Sequence, residues 1–204
     1  MVLKVAQKNF SLSKRINSNN KIQLLHAGAN RKLHNVNKMI YLVFNLPANL
    51  KKKICFTIIG KDYFEKYKKL INKLGCEKNI KLINTLKYDN YLKMIRKSDI
   101  CLGLFGNSDK SQNVITNFIV TSINLGKIII TKNTKSSKLY LKDNEGIILL
   151  KKPENLHFTK FISKFINSKN YRRKLKNKSK SSFLKHFKID ENLKNLDLFI
   201  KNFL

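Results

Sequence analysis

Four short stretches hold most of the residues able to meet a small charged ligand. Gly28 to Asn35 carries Gly28, Arg31, Lys32 and His34; Gly60 to Asp62 carries Gly60 and Lys61; Gly106 to Asn113 carries Gly106 and Lys110; and Lys132 to Lys138 adds Lys132 and Lys135. Glycine lacks a Cβ and lets backbone approach a ligand closely, while those six cations would ring a crevice with positive charge. The chemistry this suggests is anion binding. A helix starting near Asn113 would add free backbone N–H groups and the positive end of its dipole. The usual catalytic sets are missing: no G-x-G-x-x-G, no Walker-type glycine loop and no G-x-S-x-G elbow occurs. His26, His34, His157 and His186 are not spaced as metal ligands, so no metal is expected. Three of them read as structural, and His34, in the first loop, is a candidate ligand contact. Cys55, Cys76 and Cys101 show no C-x-x-C spacing and suggest neither a disulfide framework nor a zinc site. Cys55 and Cys101 sit inside apolar runs and read as buried thiols.

The elements that must position these loops are legible as unbroken apolar runs: Ile22 to Leu25, Ile54 to Ile59, Ile80 to Ile83, Ile100 to Phe105, Ile128 to Thr131 and Ile147 to Leu150. Continuous rather than alternating runs point to strands buried on both faces, and the spacing between them leaves room for a helix each time. The expected class is therefore α/β: a single Rossmann-like, doubly wound parallel sheet of about six strands. Ligands of such sheets bind at the carboxyl ends of the strands, near the point where strand order reverses, which adds the loops Asn84 to Asp89 and Lys151 to Glu154 to the four above. Helical spacing of apolar residues predicts helices over Asp62 to Gly75, with Gly75 as the left-handed cap, over Asp89 to Lys97 and over Glu154 to Ile166. Asn113 to Leu125 is rich in β-branched residues, which favour a strand. It is nevertheless expected to be a helix, because a strand there would have almost no connection to the run at Ile128. A basic helix over Lys169 to Lys188 follows, then a segment, Asp190 to Leu204, with Leu193, Leu196, Phe199, Ile200 and Phe203 on one stripe. The domain reading is a basic arm over 1–20, the folded unit over 21–187, and an amphipathic helix over 188–204.

The chain has 204 residues, 43 Lys+Arg against 12 Asp+Glu, a formal charge of +31 and 42% hydrophobic residues, enough apolar mass for a core. Only Arg15, Arg31, Arg96, Arg172 and Arg173 are arginines; the other basic residues are lysines, and Asn and Ile are also abundant. Lys, Asn and Ile belong to A/T-rich codons, whereas dedicated readers of nucleic acid favour Arg for bidentate contacts. A nucleic-acid partner is therefore not expected from charge alone. Residues 1–20 lack the apolar centre of a signal peptide, and no stretch approaches the roughly 18 uncharged apolar residues of a membrane span. A cytoplasmic location is the expectation, with Arg172, Arg173 and Lys174 as a candidate contact to an anionic membrane at the inner face.

The stretch Ser98-Asp99-Ile100-Cys101-Leu102-Gly103-Leu104-Phe105-Gly106-Asn107-Ser108, followed by Val114-Ile115, Asn117 and then Gly126-Lys127-Ile128-Ile129-Ile130-Thr131, resembles the nucleotide-sugar half of the group 1, family 4 type, glycosyltransferases. Leu139 to Leu149 is similar to the family's next segment. Upstream, Ile22 to Gly28 with Leu33-His34-Asn35-Val36 is similar to its first strand and loop, Phe56 to Gly60 to its second strand, and Asn170 to Lys174 to the start of its closing helix. The resemblance runs from about Lys21 to Phe187. It implies the carboxyl-terminal domain of a GT-B fold, holding a nucleoside-diphosphate sugar for glycosyl transfer, with no cofactor and no metal. It further implies that Arg31 and Lys32, with the helix start at Asn113 and Val114, stabilise the diphosphate charge, that Asn117 and Thr121 face the ribose, and that Gly28, His34 and Gly60 are further donor-binding residues. The family's paired acidic positions fall on Asn113 and Thr121 here, so a hydroxyl stands where a carboxylate commonly holds the ribose. The family's amino-terminal, acceptor-binding domain has no counterpart in this sequence, which makes a second Rossmann-domain chain an expected partner. The alternatives are a catalytically degenerate or split-gene remnant serving as a binding or scaffold module, and a polyanion or membrane-surface binder built on the basic helix.

Overall fold

The computed structural model describes residues 21–187, apart from 30, 31, 62, 63 and 144. The expected arm over 1–20 and the amphipathic segment over 188–204 lie outside the described residues. In chain order the elements are β1 (Ile22–Ala27), α1 (Val36–Phe44), α2 (Ala48–Lys51), β2 (Ile54–Ile59), α3 (Phe64–Lys73), β3 (Ile80–Ile83), α4 (Tyr88–Lys97), β4 (Ile100–Leu102), α5 (Asp109–Asn113), α6 (Asn117–Asn124), β5 (Ile128–Lys132), α7 (Lys135–Tyr140), β6 (Ile147–Leu150), α8 (Glu154–Asn167) and α9 (Lys169–His186). Six strands form one sheet in the order β3-β2-β1-β4-β5-β6, and every pairing is parallel. This is the doubly wound arrangement expected from the continuous apolar runs. Strand order reverses between β1 and β4, which pair through Leu24 with Ile100 and Leu25 with Cys101.

Alternation along each strand divides the apolar residues between two cores. Leu24, Phe56, Ile58, Ile100, Leu102, Ile128 and Ile130 face α1, α3 and α8, where Met39, Ile40, Ile71, Phe158 and Phe165 cover them. Leu25, Ile59, Cys101, Ile129, Ile147 and Leu149 face α4, α6 and the end of α9, under Ile95, Ile119, Ile123 and Phe183. A sheet covered on both faces leaves only its two edges of strand ends as places for polar groups.

One helix departs from expectation. The segment from Asn113 to Leu125 is not continuous: α5 ends at Asn113, Val114 is extended, Thr116 is extended, and α6 begins at Asn117. The β-branched run Val114-Ile115-Thr116 keeps its preference for extended backbone, and helix forms only where Phe118, Ile119, Val120 and Ile123 can be buried. The predicted helices over 62–75, 89–97, 154–166 and 169–188 are present as α3, α4, α8 and α9, and Gly75 does adopt φ +60° after α3.

At the amino ends of the strands, α9 crosses from one core to the other. Tyr171 and Leu175 join the first core, and Phe183 and Phe187 the second. Between them Lys176 pairs with the buried carboxylate of Asp99 at 3.4 Å, and the Ser179 hydroxyl donates to the Lys127 carbonyl at 2.7 Å. Gly146, at φ +80°, lets the backbone before β6 lie against α9, because a Cβ there would meet Ser179 Cα at 2.4 Å. Helices that follow strands direct their C-termini to this edge, and cations receive the last carbonyls. Arg172 donates to Phe165 and Ile166 at the end of α8, Lys180 to Asn124 at the end of α6, and Lys127 to Arg96 at the end of α4. Such contacts satisfy orphan acceptors and oppose the negative end of each helix dipole. Arg172 is thus a capping residue rather than part of a free basic patch, while Arg173 and Lys174 are exposed.

Candidate functional site at the carboxyl edge of the sheet

The carboxyl ends of the strands are built for close approach. The backbone N–H of Gly28 continues the ladder to Ile59 at 3.1 Å, and that of Gly60 continues it to Ile83 at 3.1 Å. Each glycine therefore sits one step past its strand, at the floor of a cleft. Across the reversal point the loop after β1 and the loop after β4 are clasped together: Gly106 N–H donates to Leu33 at 2.9 Å, Phe105 N–H to His34 at 3.3 Å, and the Asn35 amide to Phe105 at 3.5 Å. A Cβ on Gly106 would stand 2.5 Å from the Lys32 carbonyl oxygen and 2.6 Å from that of Leu33, so only glycine permits the clasp. Asn35, at φ +47°, turns the chain out of it and caps α1 by accepting from Lys38 N–H at 3.3 Å.

The clasp separates two cavities, each of about 570 Å³. The first opens on the α4 and α6 side. Its floor is Gly28 and Gly60; its walls are His34, Lys61, Thr85, Leu86, Tyr88, Tyr91 and the start of α6 at Thr116, Asn117 and Phe118. Intrahelical bonding in α6 begins with Val120 N–H to the Thr116 carbonyl, so the amides ahead of it belong to the helix's open end. Aromatic contacts run along one wall, with ring centroids 6.0 Å apart for Tyr88 and Tyr91, 6.4 Å for Tyr91 and Phe118, 5.7 Å for Phe118 and His26, and 5.1 Å for His26 and His34. Burial raises the Tyr91 phenol well above its ordinary value, with smaller contributions from Cys101 and Tyr88, and a hydrogen bond to the Thr121 side chain partly opposes this. Tyr91 is therefore protonated at neutral pH. Burial, followed by the neighbouring His34, lowers His26 to about 3, against a weaker opposing contact to Leu102. The second cavity opens on the α1 and α3 side, lined by Lys32, Asn35, Asn37, Lys66, Tyr67, Asn107 and Ser108.

The residues expected from the sequence divide accordingly. Gly28, Gly60, His34 and Asn117 line the first cavity together, and Lys61 joins them; Lys32 lines the second. Arg31 lies outside the described residues. Asn113 and Val114 are not at a helix start. The Asn113 amide donates back to Asp109 at 2.8 Å, and the Val114 carbonyl accepts from Ser136 at 3.0 Å, so the anion-accepting helix end is displaced to Thr116 and Asn117. Thr121 is buried behind Tyr91 and does not line the cavity. Of the remaining cations, Lys132 is held by the Asn107 side chain and the Gly106 carbonyl, and Lys110 and Lys135 stand on the exposed faces of α5 and α7. Thr85, Leu86 and Tyr88 fall in the expected ligand loop Asn84 to Asp89, between β3 and the first turn of α4, whereas Tyr91 and Phe118, on α4 and α6, were not expected to meet a ligand. Among the described residues there is no group of three or more His, Cys, Asp or Glu able to hold a metal, and no helix long and apolar enough to cross a membrane.

The sequence profile of the family described as glycosyl transferases group 1 matches residues 8–182. The chain belongs to that family. Solved structures with the same fold include the Anabaena Alr3699/HepE protein in complex with UDP, 12% identical, with a TM-score of 0.72 over 90% of this chain and 49% of its own. A mutant of S. aureus TarM in complex with UDP is 14% identical, with a TM-score of 0.75 over 95% of this chain and 38% of that one. The pneumococcal O-GlcNAc transferase GtfA in complex with UDP and GlcNAc is 13% identical, with a TM-score of 0.72 over 96% and 38%. The chain thus spans about half or less of the length of these proteins of similar fold, corresponding to one half of a GT-B architecture. No curated protein matches the sequence.

Proposed function

We propose that this chain is the donor half of a glycosyltransferase, and that its first cavity binds a nucleoside-diphosphate sugar. The observation that carries the reading is the cavity itself: a glycine-floored cleft at the reversal point of a parallel sheet, closed by the open amino end of α6 and an aromatic wall. Its volume lies within the roughly 300–1,000 Å³ of small-molecule sites. The diphosphate would lie against Gly28, His34, Lys61 and the amides leading into α6, and the base against the aromatic wall with Thr85 and Leu86. The bound UDP in the structures of similar fold supports this choice of ligand class. When the glycosidic bond breaks, the leaving diphosphate gains negative charge, which fixed amides and cations in a dehydrated cleft stabilise.

Glycosyl transfer would require a second Rossmann-like unit to cover the cleft and position the acceptor, since orientation and exclusion of water supply most of such a rate. A second reading is a nucleotide-binding module without transfer, which the turning of Thr121 onto Tyr91 favours. Calorimetric titration and thermal melting with uridine, guanosine and thymidine diphosphates and their sugars test both. A ligand at about one hundred times its Kd should add about 2.7 kcal/mol. No stabilisation by any member of the panel would defeat the donor-site reading. Binding without transfer, even when a separately encoded second unit is supplied, would favour the module.

A further inference from the structure

The wall of the first cavity at His34 and the buried His26 behind it form a titratable pair to which donor binding alone gives no task. His26 is fully buried, and its Nδ1 lies 2.8 Å from the Leu102 carbonyl oxygen. A carbonyl only accepts, so Nδ1 carries the proton, and the neutral ring presents Nε2 as an acceptor. That buried Nε2 has no hydrogen-bond partner, a condition that polar atoms in protein interiors rarely tolerate without a reason. The His34 ring meets His26 edge to face with centroids 5.1 Å apart, and His34 also lines the cavity. Gly28 makes room for it: a Cβ there would stand 2.6 Å from His34 Cε1. His34 is therefore placed between a buried acceptor and the space where a ligand would sit.

We infer that the His26–His34 pair takes up one proton from solvent when a diphosphate enters the first cavity, His34 becoming an imidazolium that donates one N–H to a phosphate oxygen and the other toward His26 Nε2. The inference rests on the donor-site reading. A neutral imidazole donates from one nitrogen only and an imidazolium from both, so only the charged ring serves ligand and His26 together. The titratable and charged groups around His34 are His26 of β1, Lys61 after β2, Tyr88 and Tyr91 of α4, and Lys32 of its own loop; among the described residues lining the cavity none is a carboxylate. Arg31 and Asp62, on the same loops, lie outside the described residues. A diphosphate oxygen in contact with an imidazole favours its charged form. Burial keeps His26 neutral throughout, so it remains the acceptor. His26 is a positioning residue that acts through His34.

Isothermal titration with UDP-glucose tests this, because both ends of its diphosphate are esterified, whereas the terminal phosphate of UDP itself titrates near pH 6. In buffers of differing ionisation enthalpy at about pH 7.5, binding should consume a large fraction of one proton per ligand, and affinity should fall by up to about tenfold per pH unit as the medium becomes alkaline. His34→Gln, which keeps a donor but cannot titrate, should abolish both effects. His26→Phe should move the affinity transition to lower pH while leaving the low-pH affinity within a few-fold. Binding with buffer-independent heat and a flat pH profile would overturn the proton coupling and leave the donor site standing. A His26→Phe variant that loses affinity equally at every pH would overturn the positioning role. Absence of UDP-glucose and UDP binding at every pH would remove the donor site and the coupling together. The wild-type proton count decides the main point whether or not either variant folds.

Discussion

The two edges of strand ends treat the same surplus of positive charge in opposite ways. At the amino edge Arg172, Lys180 and Lys127 are absorbed by the terminal carbonyls of three helices, and Lys176 by the buried Asp99 carboxylate. At the carboxyl edge Lys32 and Lys61 line open cavities, beside helix starts whose partial charge is also positive. Helix polarity explains the contrast. In a parallel sheet every crossover helix runs against its strand, so acceptors collect at one edge and donors at the other. Cations stabilise the fold at the first edge, and on the proposed reading Lys61 meets a bound diphosphate at the second. Among the described residues the positive charge is therefore not a uniform coat.

The largest effect that would test this contrast comes from Gly146→Ala. It imposes a side chain at φ +80° and against the α9 backbone, so a loss of about 3 kcal/mol or more is expected in chemical denaturation. The folded fraction should bind nucleotide as before, since the proposed donor site lies at the opposite edge. Gly106→Ala should do the reverse. It forces a Cβ onto the Lys32 and Leu33 carbonyls, costing about 2 kcal/mol and, by opening the clasp, most of the UDP affinity. If the two variants affected binding alike, the separation of edges would be wrong.

Lys176→Met removes the ammonium beside the buried Asp99 carboxylate, which still accepts from the Gln23 N–H. Full loss of a buried partner costs about 3–5 kcal/mol, but the Lys176 side chain is 34% exposed, so solvent screening brings the expectation to about 1–2 kcal/mol. Thermal melting checks it, with ligand affinity again unaffected. Arg172→Gln and Lys180→Met should each cost only about 0.5–1 kcal/mol, as exposed or half-exposed helix caps do.

Acid distinguishes the edges in another way. His26 titrates at about 3 in the fold and near 6.5 when unfolded. Between those values the unfolded chain binds the extra proton. The contribution is thus fully present above about pH 6.5 and declines by up to about 1.4 kcal/mol per pH unit as pH falls toward 3. Urea denaturation from pH 7 to 4 should show this slope, and His26→Phe should flatten it.

Much of this architecture could be read from the residues because strands buried on both faces leave an unbroken apolar trace. Ile54–Ile59, Ile80–Ile83 and Ile147–Leu150 appear as strands with the expected bounds. The break before α6 was hidden, since Val114-Ile115-Thr116 is compatible with either conformation and only burial decides. That Gly28, Gly60 and His34 line a cleft was legible because loops at carboxyl ends of strands are where crevices open in parallel sheets. Of the aromatic wall, Tyr88 falls in the expected ligand loop, whereas Tyr91 shares a helical pattern with ordinary core residues and reaches the cavity only through the packing of α4 beside α6. Arg172 resembled surface charge for a similar reason: nothing in its spacing announces the two carbonyls it caps.

The path of α9 has a consequence for cooperativity. Its first turns complete one core with Leu175, and its last complete the other with Phe183 and Phe187. Neither face of the sheet can retain its packing once that helix detaches, and partial melting of one layer would expose the other. The two layers should therefore unfold in a single transition, with the same midpoint whether followed through Tyr171 on one side or Tyr91 on the other.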